Sequence, residues 1–160
     1  MREPRSAESV VVTTSVRLVA PFVVTFGLFI MFHGASSIGG GFQGGVVVAS
    51  AVVTIAFGFG IDQTARWLDR ARLTAAAILG VLAFAVAGLG PVLFGGTFLE
   101  FPVYPGPTGA LYAVEVVEVG IGVTVAATIV VLFVEIAGGF GAEAGHGGDT
   151  GADPAGEEIE

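Results

Sequence analysis

Four long apolar runs, parted by short polar or glycine-rich stretches, limit what this chain can fold into more than any other feature. About 20 apolar residues in a helix cross the roughly 30 Å hydrocarbon core of a bilayer. Here only 12% of 160 residues are charged and 54% are hydrophobic, about half the charge fraction of an ordinary soluble domain. The charges lie between and outside the apolar runs. The expectation is an all-α integral membrane protein with four transmembrane helices.

The first helix is placed at about 16–33, after a polar segment 1–15, with Pro21 in its opening turns, where a missing N–H costs little. A signal peptide is the competing reading, but the polar leader is long and a second apolar block follows at once. Residues 34–45 hold six glycines in twelve. Fixing glycine loses backbone entropy, so this stretch reads as a tight turn and the second helix as about 44–60. Residues 61–72 read as a polar connector, with Asp62 and Arg66 at i, i+4 and Trp67 at headgroup level. The third and fourth helices are placed at about 73–94 and 110–137. Residues 138–160 form an acidic, glycine-rich tail without the apolar residues needed to fold.

All six positive charges are arginines, against fourteen acids, for a net charge of −8. Six of the acids (Glu143, Asp149, Asp153, Glu157, Glu158, Glu160) lie in the tail. An acidic, lysine-free chain suits high intracellular salt, where charge repulsion is screened, and a halophilic archaeal source is expected. With four spans, the N-terminus, the 61–72 connector and the tail share one side. Every arginine falls there, and the positive-inside rule makes that side, with both termini, cytoplasmic.

The chemistry-bearing residues are few. Gly39, Gly41 and Gly44 match the G-x-G-x-x-G dinucleotide fingerprint in letters. That fingerprint needs a preceding strand and a soluble βαβ unit, so it is set aside. Gly39, Gly40, Gly41, Gly44 and Gly45 read instead as a turn, with Gly41 and Gly45 spaced as G-x-x-x-G for close helix contact. Alternatively, exposed backbone groups there line a polar vestibule that Gln43 could join. Glu115 and Glu118 share a face of the fourth helix at i, i+3, and Glu118 lies roughly 12 Å in from Ala110 at 1.5 Å per residue. Ionisable groups at membrane depth are costly and tend to mark ion paths or partner contacts. His33 could relay protons, since imidazole titrates near neutrality, or serve as an interfacial hydrogen-bonding residue. Glu100 and Glu135 read as interfacial, and His146 is an isolated tail histidine. No catalytic triad, metal cluster, phosphate loop or basic patch for nucleic acid is present, and the chain has no cysteine. Neither an enzyme activity nor a cofactor is expected of it.

The stretch His33-Gly34-Ala35-Ser36-Ser37-Ile38-Gly39-Gly40-Gly41-Phe42-Gln43-Gly44-Gly45-Val46 resembles the signature of the MnhB (MrpB) family, one of the small membrane subunits of the Mrp-type multi-subunit sodium/proton antiporters. Val117-Glu118-Val119-Gly120-Ile121 is similar to that family's Phe-Asp-Ile-Gly-Val element, with glutamate for aspartate. The resemblance covers roughly residues 12–135. It departs at Ala35, where the family has a second histidine, and at Ile38, where it has proline. It implies a membrane subunit of a hetero-oligomeric complex that exchanges Na+ for H+, lining the ion path or supporting assembly through Glu118, Glu115, His33 and Gln43, and not transporting alone. An ion-translocating-arm subunit of a complex I-like hydrogenase or other redox complex is the alternative, and a stand-alone four-helix scaffold is a third.

Overall fold

The computed structural model describes residues 10–34 and 40–146. They form five α-helices and no strand. Helix α1 spans Val10–Met31, α2 Gly41–Phe59, α3 Ile61–Trp67, α4 Arg70–Leu93 and α5 Gly109–His146, with a 3-10 turn at Phe101–Val103. Four of them, α1, α2, α4 and the Gly109–Gly138 part of α5, are long and apolar enough to cross a membrane.

The element bounds differ from the sequence expectation in four places. Helix α1 begins at Val10, so Pro21 lies in its middle and not in its first turns. The threonines that make residues 11–15 look polar are accommodated, and Thr13 Oγ1 donates to the Gly58 carbonyl of α2 at 3.2 Å. Helix α2 begins at Gly41, three residues earlier than expected, so the later part of the glycine stretch is helix. The 61–72 connector contains α3 and the capped start of α4, where the Asp69 side chain accepts from the Ala71 N–H at 2.9 Å. Helix α5 continues past Ala137 to His146, because alanine and glutamate between the glycines tolerate helix. The tail from residue 147 lies outside the described residues.

A glycine makes the abrupt passage from α2 to α3. Gly60 has a φ of 99°, a conformation that side-chain-bearing residues disfavour, and α3 starts at the next residue. Trp67, at the end of α3, is exposed.

The long helices stand in single file: α1 packs on α2, α2 on α5, and α5 on α4. The second helix in sequence and the last one therefore occupy the centre. Most buried side chains are small, with Ala49, Ala51 and Ala56 on α2 and Ala113, Ala127 and Val130 on α5; Met31 of α1 and Pro91 of α4 are the exceptions. Helices in lipid gain nothing from hiding apolar surface from water, so association rests on close van der Waals approach. Small residues at the seams permit it.

Candidate functional site: the glycine junction and Glu118

The first turns of α2 are pressed between two helices. A Cβ on Gly41 would run into the carbonyl oxygen of Glu118, and one on Gly45 into that of Gly122. Gly41 and Gly45 thus lie one turn apart against Glu118 and Gly122, also one turn apart, and the G-x-x-x-G spacing meets α5 backbone to backbone. On the other side, a Cβ on Gly44 would lie 2.7 Å from the Gly27 carbonyl oxygen of α1 and 2.9 Å from the Met31 nitrogen. Glycine's entropic cost in a helix is about 1 kcal/mol per residue, and this double contact is what offsets it.

The Glu118 side chain enters the same junction. Its carboxylate occupies the space that a Cβ on Gly34 would need, and Oε1 would be 3.4 Å from a Cβ on Gly40. Gly40 is the N-cap of α2, so the carboxylate sits by the end of α2 where the helix dipole is positive. Oε2 is buried and accepts no hydrogen bond. A buried acceptor without a donor costs about 1–3 kcal/mol, more when charged, so this oxygen stands out from every other side-chain polar atom among the described residues. The nearest glutamate on its own helix, Glu115, adds like charge.

The other expected site residues are placed around this junction and not in it. Glu115 is half-buried, one turn nearer the start of α5. Gln43 is exposed on α2. His33, exposed just past α1, stacks on Phe29 with ring centroids 4.2 Å apart. Gly39 and the departures at Ala35 and Ile38 lie outside the described residues. Sequence reasoning missed Gly27 and Gly122, and took Gly120 only as part of the Val117–Ile121 element and not as a packing position. Isolated glycines in apolar helical runs were the available signal, since such positions often have a packing reason.

Glycine also joins α5 to α4. A Cβ on Gly120 would be 2.7 Å from the Gly80 carbonyl oxygen, and Thr124 Oγ1 donates to the Ala77 carbonyl across the seam at 3.1 Å. Beyond α4 the 95–108 segment folds back as a cap. Pro91 has no N–H to give to the carbonyl four residues before it, that of Ala87, and the Tyr104 hydroxyl donates there instead at 2.7 Å. The Leu99 N–H donates to the neighbouring Gly88 carbonyl at 2.9 Å, from a backbone with a φ of 65°. Glu100 Oε2 accepts from the Thr97 N–H at 2.7 Å and from its hydroxyl at 3.0 Å. These bonds hold the Glu100 carboxyl below its ordinary pKa.

The opposite end of the file carries the described arginines. Arg70 Nη1 lies 2.9 Å from Glu135 Oε1, joining α4 to α5. The Arg17 guanidinium stands 5.5 Å from the Phe59 ring centroid.

A family described as a domain related to the MnhB subunit of Na+/H+ antiporter matches residues 11–131, from the first turn of α1 through both sides of the glycine junction. The chain belongs to the MnhB family. Among its relatives, the protein of Staphylococcus haemolyticus named as antiporter subunit mnhB2 is 31% identical over 141 residues, 81% of this chain and 95% of the relative. That of Staphylococcus aureus (strain Newman), with the same name, is 27% identical over 139 residues, 81% of this chain and 95% of the relative. Membership of the MnhB family and four membrane-length apolar helices make this a multi-pass membrane protein.

Proposed function

We propose that the chain is a membrane subunit of a multi-subunit Na+/H+ antiporter, with no enzymatic activity of its own, and that Glu118 borders the ion path. The observation that carries the second part is the buried Glu118 Oε2 with no donor. Such an oxygen is satisfied by a proton or by a cation, and these are the two species that an Na+/H+ antiporter exchanges. Beside it stands the N-terminal end of α2 at Gly40–Gly41, whose positive dipole faces the carboxylate as broken-helix N-termini face anionic groups in transporters.

Both termini are assigned to the cytoplasm. Arg17, Arg66, Arg70 and Arg72 gather at the end of the file opposite the 95–108 cap, in keeping with the positive-inside rule. The chain acts inside an assembly: its relatives are named as subunits, and one ionisable group in the junction does not by itself make an alternating path.

The test is purification from native membranes in mild detergent. The chain is expected to emerge with several larger membrane proteins, and a vesicle preparation of that complex to exchange protons in response to Na+. Recovery as a lone protein would overturn the reading. Iron–sulfur or flavin subunits among the partners would transfer it to a redox-driven complex.

A further inference from the structure

One face of the α4–α5 seam is an open groove with an acid in its wall. Near the 95–108 cap it has a volume of about 830 Å³, floored by Ala87 and Gly90 of α4 and by Gly109 and Ala113 of α5. A second pocket of about 380 Å³ continues it past Val116, which lines both, over Gly80, Ala83 and Gly120. From Leu93 and Gly109 to Leu79 and Val123 the two pockets run about fourteen residue steps along each helix, roughly 21 Å at 1.5 Å per residue. That is most of the depth of the hydrocarbon core. Glu115 lines the deeper pocket.

A lipid chain fills apolar volume but offers no donor to a carboxylate at this depth, whereas a helix does both. The small residues along the floor allow a second helix backbone to come close. Among the described residues, no arginine of this chain stands at the level of Glu115 to supply the countercharge. Its described arginines lie at the other end of the file, Glu135 already holds Arg70, and a second copy inserted in the same sense would carry its arginines at that same far level. His33, at the Glu115 end of the file, is stacked on Phe29.

We propose that this groove is the docking face for a transmembrane helix of a different subunit of the complex, one that brings a lysine or arginine to the level of Glu115. The inference rests on the antiporter-subunit reading and adds to it which face is covered and what charge the partner carries. It makes Glu115 an assembly residue, separate from Glu118, which lies about 60° away around α5 at 3.6 residues per turn and faces α2.

The experiment uses the whole complex in native membranes. A photo-crosslinking amino acid is placed singly at Leu89 or Val119 in the groove, and at Val81 or Ile121 on the opposite face of the same two helices. The groove positions are expected to give one product with another subunit, at least five times stronger than from the opposite face, with the cross-linked site on a membrane helix of the partner next to a lysine or arginine. Glu115→Lys is expected to lower recovery of that partner with the chain about tenfold, and an acid in place of the partner's cation to restore it. Glu115→Gln is expected to lower recovery less. Products only with lipid, only with a second copy, or equally from both faces would overturn the proposal, as would an unchanged yield with Glu115→Lys. The cross-linking arm leaves Glu115 intact, so it remains decisive if Glu115→Lys fails to insert. Purification without any partner is a failure of the subunit reading; purification with partners that cross-link only elsewhere is a failure of the groove alone.

Discussion

Two glutamates on one helix, Glu118 and Glu135, meet opposite surroundings. Glu135 has the Arg70 guanidinium 2.9 Å away and a side chain about half exposed. Glu118 is wedged among glycines with one oxygen buried and unbonded. An exposed ion pair contributes about 0–1 kcal/mol, and losing it is tolerable. A carboxylate packed against backbone without a donor is a liability unless it serves something. Residue type and helix therefore do not fix a carboxylate's role; what it faces does.

The sharpest way to break the contrast is to remove the packing that creates it. Gly41→Leu places a side chain where the Glu118 carbonyl stands. Overpacking typically costs about 1–3 kcal/mol, occasionally more, and backbone against backbone has nowhere to yield. The chain is expected to fall at least tenfold in membrane abundance by immunoblot, while Gly138→Leu, with no neighbour within 4 Å of its Cβ position, stays near wild type.

The next effect separates the two acids directly. Glu118→Gln is expected to reduce Na+-dependent proton exchange in vesicles about tenfold with the complex still assembled, and Glu135→Gln to change it less than twofold. Equal effects would remove the special status of Glu118. A smaller effect belongs to the cap. Tyr104→Phe leaves the Ala87 carbonyl without its donor, a loss of about 1–3 kcal/mol, read as a lower thermal-aggregation midpoint in detergent with exchange activity retained. The smallest is a pH effect on a third acid. The lowered pKa of folded Glu100 means that its bonds to Thr97 stabilise the turn above the ordinary glutamate pKa. That contribution disappears as pH falls through the lower folded value. Protection of the Thr97 amide against hydrogen exchange, taken relative to the intrinsic rate at each pH, should fall over that acid range, and with Glu100→Gln this pH-dependent loss should vanish.

Much of the fold was legible in the sequence. Apolar length located four spans, and the cost of charge in lipid singled out Glu118. The glycine stretch was legible only in part: glycine's propensity describes a helix in water, and Gly41, Gly44 and Gly45 are helical because two other helices touch them. Which helices would touch was not readable, since side-by-side order depends on partners distant in the chain. Pro21 was misplaced because threonines that bond into helices resemble a polar leader. Pro91 falls inside the third helix as placed from the sequence, but the orphaned Ala87 carbonyl and its Tyr104 donor required the fold.

The single-file arrangement has a consequence for what this protein is when alone. A palisade one helix thick has two broad sides and almost no inside: Phe22, Phe57 and Val86 are more than two-thirds exposed, and the fully enclosed side chains are chiefly alanines. Every spanning helix is a frontier between whatever lies on its left and on its right. The chain is therefore a partition whose interior is completed by its neighbours, and its stability is a property of the company it keeps.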